Sequence, residues 1–438
     1  MAILTGVTLG VTPATGLCRR LEIRPGASFE EAVEHLAPGD TLTVHDGRYA
    51  DRGGISITVQ GTPAARVLIR GAAGEPSPLI TRPEGSEPQN TINIEGATQV
   101  TIAGLEISGN GDGIDLKGDV RNVTIENCVI HNVDVGIGVH SSARHLVIRR
   151  NEIRDTGSGG ATGEGMYIGC HDGSCAVTES VFEGNWIHDT LHASQGDGIE
   201  IKLGSWGNVV RDNVICNTRY PGVLLYGTQG GAPNVVERNA LWNCGDSGIQ
   251  AAADAIIRNN LILDSPEGGF TSHDHNGIRP GHVVFVNNTI VGGSPALRLS
   301  DWANRPGMVL ANNAIYTSSN RVYAGESLQG VTVAGNVVFP SNRVVGSGGA
   351  AGRSIAADFL QADHRNVYPA SQSKLIRAGV AAYAPREDFN GTPRSGKPDA
   401  GAYAWTQAKN PGWTVAPGFK SAPRKPALHA APERRPAK

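Results

Sequence analysis

The sequence predicts an all-β chain, a right-handed parallel β-helix of about ten coils with an N-terminal capping helix. Three observations carry that prediction. First, a strand–turn–strand unit recurs from about residue 66 to 340, each unit built on a V-x-I-like strand followed by one marked position. That position holds Leu105, Cys128, Asn151, Asn185, Asn213, Asn239, Asn260, Asn288, Asn313 and Asn336, at intervals of 23, 23, 34, 28, 26, 21, 28, 25 and 23 residues. Second, the intervals vary while the pattern inside each unit persists, as expected for a coil of short strands joined by turns of variable length. Third, 58 glycines with only 18% charged and 5% aromatic residues favour tight turns and short strands over long helices. Leucine-rich repeats share the period but need a leucine framework and a helix in each repeat, and neither is present.

The elements follow in order. Residues 1–16 read as a flexible N-terminus or the remnant of a secretory signal, and 17–345 as the β-helix. Ser28 followed by Glu31 is a capping box, and Phe29, Ala32, Val33 and Leu36 fall on one face of a helix of about two turns. Such a helix shields the end of a strand stack, where an unpaired edge would invite aggregation. Each coil then rises by one strand spacing, roughly 4.8 Å. At the asparagine slot, Asn tolerates a left-handed turn, and its amide can bond the equivalent Asn one coil away. Past residue 340 the repeat fades into a flexible Gly-rich joint, and 346–408 reads as an extension packed back on the coil. The Pro-rich basic segment 409–438 is expected to be disordered.

Composition narrows the function. A formal charge of −3 gives no reason to expect nucleic acid. No apolar run reaches the roughly 18 residues of a membrane span. Cys170 and Cys175 in CHDGSC could close a small loop in an exported protein, so a secreted or periplasmic monomer is the expectation.

The chemistry is expected on strands that open with a glycine, among them DGIDLKG, EGMYIGC, DGIEIKL and PGVLLYG. Strand alternation sends the first and third residues after the glycine inward and the second and fourth outward. Ile114, Ile137, Met166, Ile199, Val223, Ile249, Phe270 and Leu297 then form an inner ladder. Outside, one column holds Asp115, Gly138, Tyr167, Glu200, Leu224, Gln250, Thr271 and Arg298. Its neighbour holds Lys117, His140, Gly169, Lys202, Tyr226, Ala252, His273 and Ser300. Rings and cations in adjacent columns suit an extended, hydroxyl-rich, anionic polymer, with aromatic faces for sugar rings and cations for carboxylates. Lys117, Tyr167, Gln250, His273 and Arg298 are the expected substrate-binding residues, and Lys202, Tyr226, Glu200 and His140 the expected catalytic ones. Insertions on either side of Tyr167 would raise a wall beside this groove.

Glu164 and Asp197 stack just ahead of the glycine in adjacent coils, roughly 5 Å apart. That spacing admits a calcium ion, the carboxylate pair of a retaining glycosidase, or plain turn chemistry. His273-Asp274-His275 looks like a metal motif, but alternation splits it, so His273 faces the groove while Asp274 and His275 begin a loop.

The segment SFEEAVEHLAPGDTLTVHDGRY (28–49), together with the Asp197-x4-Lys202 pair in DGIEIK, resembles the β-helical polysaccharide lyases, above all the alginate lyase and chondroitinase B group. In that group a strand with an acidic residue five places before a lysine carries a calcium ligand and the catalytic base. The resemblance therefore implies β-elimination on an acidic polysaccharide, with calcium held near Glu164 and Asp197. The group places an arginine in the next coil, within L-R-H-G, whereas this chain has GVLLYG with Tyr226. Either Tyr226 serves as proton donor or the chemistry differs. A neutral Lys202 or a deprotonated Tyr226 could remove the C5 proton. The neighbouring Glu200 charge favours protonated Lys202 as electrostatic stabiliser and Tyr226 as base. The alternatives are a mannuronan C5-epimerase, a glycoside hydrolase using Glu164 and Asp197, and a non-catalytic carbohydrate-binding β-helix.

Overall fold

The computed structural model describes residues 18–421 except 159, 161, 193 and 342. Short parallel strands wind into a right-handed β-helix with three long faces of 13, 11 and 13 strands. The first face runs from Arg20–Ile23 to Thr332–Ala334, the second from Ser56–Ile57 to Tyr323–Gly325, and the third from Arg48–Ala50 to Ala350–Ala351. The coils counted from the marked position lie within this stack, which strands at both ends extend. No described helix is long and apolar enough to cross a membrane.

Register follows from the alternation. On the 11-stranded face Ile114, Ile137, Met166, Ile199, Val223, Ile249, Phe270 and Leu297 pair in unbroken succession. All eight are fully buried. Burial of such side chains contributes about 1.5–3 kcal/mol each. A one-residue slip would turn this ladder outward and the charged columns inward, so the register is strongly fixed.

The asparagines form a second continuous ladder. From Asn151 to Asn336, each side-chain amide donates to the Oδ1 of the next, with Asn213 to Asn239 and Asn239 to Asn260 both at 2.9 Å. Each Oδ1 also accepts the backbone N–H of the asparagine one coil below. One part of the expectation is corrected. The left-handed residue is the one before the ladder position, as at Arg150, Asp212, Arg238, Asn259, Asn287 and Asn312. The ladder asparagines are there to saturate buried backbone groups, not to turn the chain.

At the N-terminus, the helix Phe29–Glu34 starts at Ser28, whose hydroxyl accepts from the Glu31 N–H at 3.0 Å. It buries Phe29 and Val33 against the first coils. At the other end, the expected Gly-rich joint instead adds a strand, Ala350–Ala351, beside Val337 and Val338. The following extension packs on the outside of the 13-stranded third face around Trp242, Tyr316, Phe359, Tyr368, Phe389 and Tyr403.

The tail also departs from expectation. Residues 409–421 are ordered against the coil: Val415 is buried, and the Lys420 ammonium donates to Asp212 Oδ1 at 2.8 Å and to the Arg238 and Phe389 carbonyls at 2.9 Å. Basic, Pro-rich composition reads as a solvated tail because nothing in it reveals an acidic partner some two hundred positions away. Residues 1–17 and 422–438, which include the N-terminal segment and the rest of the tail, lie outside the described residues.

Candidate active site

The chemistry-bearing side chains stand on the outer surface of the 11-stranded face. Glycine opens these strands for a steric reason: a Cβ on Gly198 would lie 2.4 Å from the Gly222 carbonyl oxygen of the next coil. Tight coil-to-coil contact there brings the residues just before and after it into close register. Tyr167 pairs with Glu200, Glu200 with Leu224, and Leu224 with Gln250, as the outer column requires.

At the centre Lys202 forms an ion pair with Glu200 Oε1. The same oxygen accepts the Tyr226 hydroxyl proton at 3.0 Å. The Lys202 ammonium also lies over two aromatic faces, 4.2 Å from the Tyr167 ring centre and 5.1 Å from that of Tyr226. Glu200 has no exposed surface, Lys202 is 3% exposed and Tyr226 5%. The expectation of an open groove at this point is therefore corrected. The outer residues are turned away from the core but roofed by loops. Burial, and then the adjacent Glu200 charge, push the Tyr226 phenol well above the usual tyrosine range, and Tyr167 is raised by the same two causes. A freely deprotonated Tyr226 is thereby excluded as the resting state.

Glu200 is shared with a carboxylate cluster. One oxygen each from Glu164, Asp197 and Glu200 lies within 4.8 Å of the other two. Glu164 Oε1, Asp197 Oδ1 and Glu200 Oε2 are buried without a hydrogen-bond partner. The other Glu164 oxygen accepts from the Thr162 hydroxyl at 2.6 Å. Burial, then repulsion from Glu200, raises the Asp197 carboxyl well above its ordinary value and raises Glu164 in the same direction. Three acidic side chains that converge, each with a buried oxygen making no hydrogen bond, are a donor set that fits a hard divalent cation, which takes 6–8 oxygens in the case of calcium.

Next to the centre is a second group. His140 Nδ1 lies 2.9 Å from Asp115 Oδ1, which raises the imidazole pKa, and its ring stands 4.9 Å from that of Tyr167. Lys117 Nζ reaches Asn93 Oδ1 at 3.0 Å and Asp115 Oδ2 at 3.3 Å. Asp112, raised to about 6 by burial and then by Asp115, completes this end.

The structure brings together Lys202, Glu200, Tyr226, Tyr167, Glu164 and Asp197, with His140 and Lys117 on the adjoining coils. Gln250 joins from the other side, through its bond to His275 at 3.1 Å. His273 and Arg298 are not part of the cluster. His273 Nδ1 lies 2.6 Å from the Asp274 carbonyl oxygen. Arg298 reaches the Glu267 carbonyl, four strands beyond Glu200 in the pairing order.

Two histidines that the sequence pattern does not place at the site lie over Tyr226. His275 packs edge-on to its ring at 4.9 Å, and His171 does so at 6.3 Å. Alternation assigns His275 to a loop correctly but gives no sign that the loop returns across the sheet. His171 sits inside the small loop closed by the Cys170–Cys175 disulfide.

A family model described as a right handed beta helix region matches residues 77–232 and 168–338. Among solved structures, a pectate lyase aligns with a TM-score of 0.57 at 14% identity, over 89% of this chain and 97% of that one. An alginate lyase from Paenibacillus sp. str. FPU-7 aligns at 0.52 and 18%, over 64% of this chain and 97% of that one. A 3-dehydroshikimate dehydratase from Acinetobacter baylyi is 29% identical over 101 residues, 23% of this chain and 20% of that protein. The chain thus matches only a fifth of the length of that curated relative. Coiled architecture, parallel faces, asparagine ladder and the family match agree, and the chain belongs to the right handed beta helix family.

Proposed function

We propose that this chain is a polysaccharide lyase that cleaves a uronate-containing polymer by β-elimination at Tyr226, Glu200 and Lys202. The observation that carries the reading is the shared oxygen: Glu200 Oε1 receives both the Lys202 ammonium and the Tyr226 hydroxyl. Elimination requires a base for the C5 proton, an acid for the leaving oxygen, and positive charge beside the enolate-like intermediate. This trio offers all three. Likeness of fold to an alginate lyase and a pectate lyase supports the substrate class.

The proton inventory closes within two residues. Glu200 has no exposed surface, so Tyr226 carries its basicity to the substrate. Tyr226 passes its hydroxyl proton to Glu200 across the 3.0 Å bond as it takes the C5 proton. The C5–H electron pair forms the new C4–C5 double bond as the C4–O bond breaks. Tyr226 gives the captured proton to the leaving oxygen, and Glu200 returns its own to the phenolate. Lys202 holds the developing negative charge. The high proton affinity that burial gives the phenolate is an advantage here, because a carbon-bound proton demands a strong base. His140, whose charged form Asp115 favours, and Lys117 bind carboxylates of neighbouring sugar units, and Tyr167 offers a ring face.

Glu164, Asp197 and Glu200 would hold calcium. When bound, the ion would add positive charge beside the uronate site and offset the three buried carboxylates. A hydrolase built on Glu164 and Asp197 is less favoured, since both are at most 1% exposed. The Cys170–Cys175 disulfide supports a secreted or periplasmic location.

The test is incubation with polymannuronate, polyguluronate, polygalacturonate and glycosaminoglycans, following the ultraviolet absorbance of the unsaturated product. An absorbing product that Tyr226→Phe no longer forms supports the reading. Exchange of the C5 proton with solvent and no cleavage would assign an epimerase instead.

A further inference from the structure

Along the column that holds Tyr226, the outer face of the catalytic sheet is open over the N-terminal coils and closed at Tyr226 and the coil after it. Toward the N-terminal coils, the side chains of Lys117 and His140 are 46% and 39% exposed. In that same column Lys202 is 3% exposed, Tyr226 5% and Ala252 1%. Outward-facing residues on a β-helix are covered only where something lies across them.

What lies across them is the turn 273–279. His275 and Ile278 close it with reciprocal backbone bonds of 3.1 and 3.0 Å. The turn is then pinned at two points. Gln250 Nε2 meets His275 Nδ1 at 3.1 Å, and the Ile278 side chain packs over Gly227, 3.2 Å from where a Cβ would stand. The disulfide-closed loop also brings His171 to Tyr226, edge-on at 6.3 Å. Burial, and then neighbouring His273, lower the His275 pKa, so the roof carries a neutral imidazole above the Tyr226 ring.

We propose that the 273–279 turn ends the substrate groove at Tyr226, so that the chain engages its polymer from one end and not along its length. This rests on the polymer reading above and adds the mode of engagement to it. A polymer lying over Lys117, His140 and Tyr167 runs into the turn at Tyr226, leaving room there for a terminal unit only. The chain end, with no further sugar beyond it, is what the closed side can accept. His275 and Ile278 set this limit as positioning residues.

Binding stoichiometry tests the inference independently of turnover. The Glu200→Gln variant, isosteric and slow to cleave, is mixed in excess with polymannuronate, polyguluronate, polygalacturonate and glycosaminoglycans of graded length. Light scattering then gives the number of protein molecules per chain. End-on engagement predicts a number that stays constant as the polymer lengthens. The double variant His275→Ala/Ile278→Ala, checked for an unchanged melting transition in the coil, predicts a number that grows with length. A count proportional to length in the parent variant, or no binding to any of these polymers, overturns the inference. The lyase reading fails separately, if wild-type protein binds chain ends and yet forms no unsaturated product. With active wild-type protein, end-on action predicts absorbance that rises well before viscosity falls. Early collapse of viscosity overturns it.

Discussion

Tyr226 donates its hydroxyl proton to Glu200 Oε1 at 3.0 Å, on the same oxygen that Lys202 grips. The phenol is thus hydrogen-bonded to its own proton acceptor before substrate arrives. Tyr226→Phe removes the transferable proton and leaves the Lys202–Glu200 pair and the ring packing in place. It is expected to lower kcat by about 10²–10⁴-fold, the usual size of a general acid–base contribution, with KM changed little. Initial rates of unsaturated-product formation across substrate concentration measure both.

Lys202 and Glu200 are both buried, so the pair is sensitive to losing one member. Lys202→Met leaves Glu200 charged beside Asp197 and Glu164 with no cation. It is expected to destabilise the chain by about 3–5 kcal/mol, as for other broken buried pairs. The double variant Lys202→Met/Glu200→Gln removes the orphaned charge and recovers most of that loss. Activity stays lost in both. Denaturant unfolding of the two variants and the wild type settles it, and a double variant no more stable than Lys202→Met would refute the charge argument.

The carboxylate cluster predicts a pH-dependent response to calcium. Asp197 and Glu164 have raised pKa values, so without calcium these two groups bind more protons in the folded chain than in the unfolded one. Their contribution to stability without metal is therefore greatest below the unfolded carboxylate pKa, roughly 4, and is lost as pH rises through the folded values. Calcium competes with those protons. Added calcium should raise Tm at pH 8 more than at pH 5, and chelator should lower it at the higher pH only. Asp197→Asn should raise the melting temperature of the metal-free protein at pH 8 and abolish the calcium response. Thermal scans at both pH values measure each effect.

The coil and its site are not equally legible in the sequence. Period-2 alternation depends only on local backbone geometry, so the pairing of Tyr167 with Glu200 and of Glu200 with Leu224 follows from the residue pattern alone. The amide stacking from Asn151 onward is equally readable, because the slot recurs once per coil. What alternation cannot give is cover. It places Glu200 and Lys202 outward, and outward reads as solvated, whereas the Tyr167 and Tyr226 rings lie against Lys202, Tyr226 bonds Glu200, and two loops bring histidines onto Tyr226. His275 is hidden for the same reason: its role comes from a loop crossing the sheet, and no periodic signal records where an irregular segment lands. Lys420 illustrates the point at longer range, since its partner Asp212 is 208 positions away.

The asparagine ladder gives the last prediction, one of stability without chemistry. Asn239 Oδ1 accepts both the backbone N–H and the side-chain amide of Asn213 at 2.9 Å. Its own amide donates to the Val210 carbonyl and to Asn260 Oδ1, again at 2.9 Å. Asn213, Val210 and Asn260 are fully buried, so water cannot replace what a substitution removes. Asn239→Ala leaves the Asn213 N–H unsatisfied, at about 1–3 kcal/mol for the stranded group, and takes one donor from the Val210 carbonyl. Asn239→Asp keeps the acceptor and loses the donor, so it takes one bond from the Val210 carbonyl and adds a buried charge. Both variants should unfold at lower denaturant concentration, with Asp at least as damaging at neutral pH and milder in acid, where its protonated carboxyl can donate again. Because Asn239 sits on a different face from Tyr226, kcat of the folded fraction should match wild type. A loss of activity in step with the loss of stability would instead mean that the ladder sets the register of the catalytic strands.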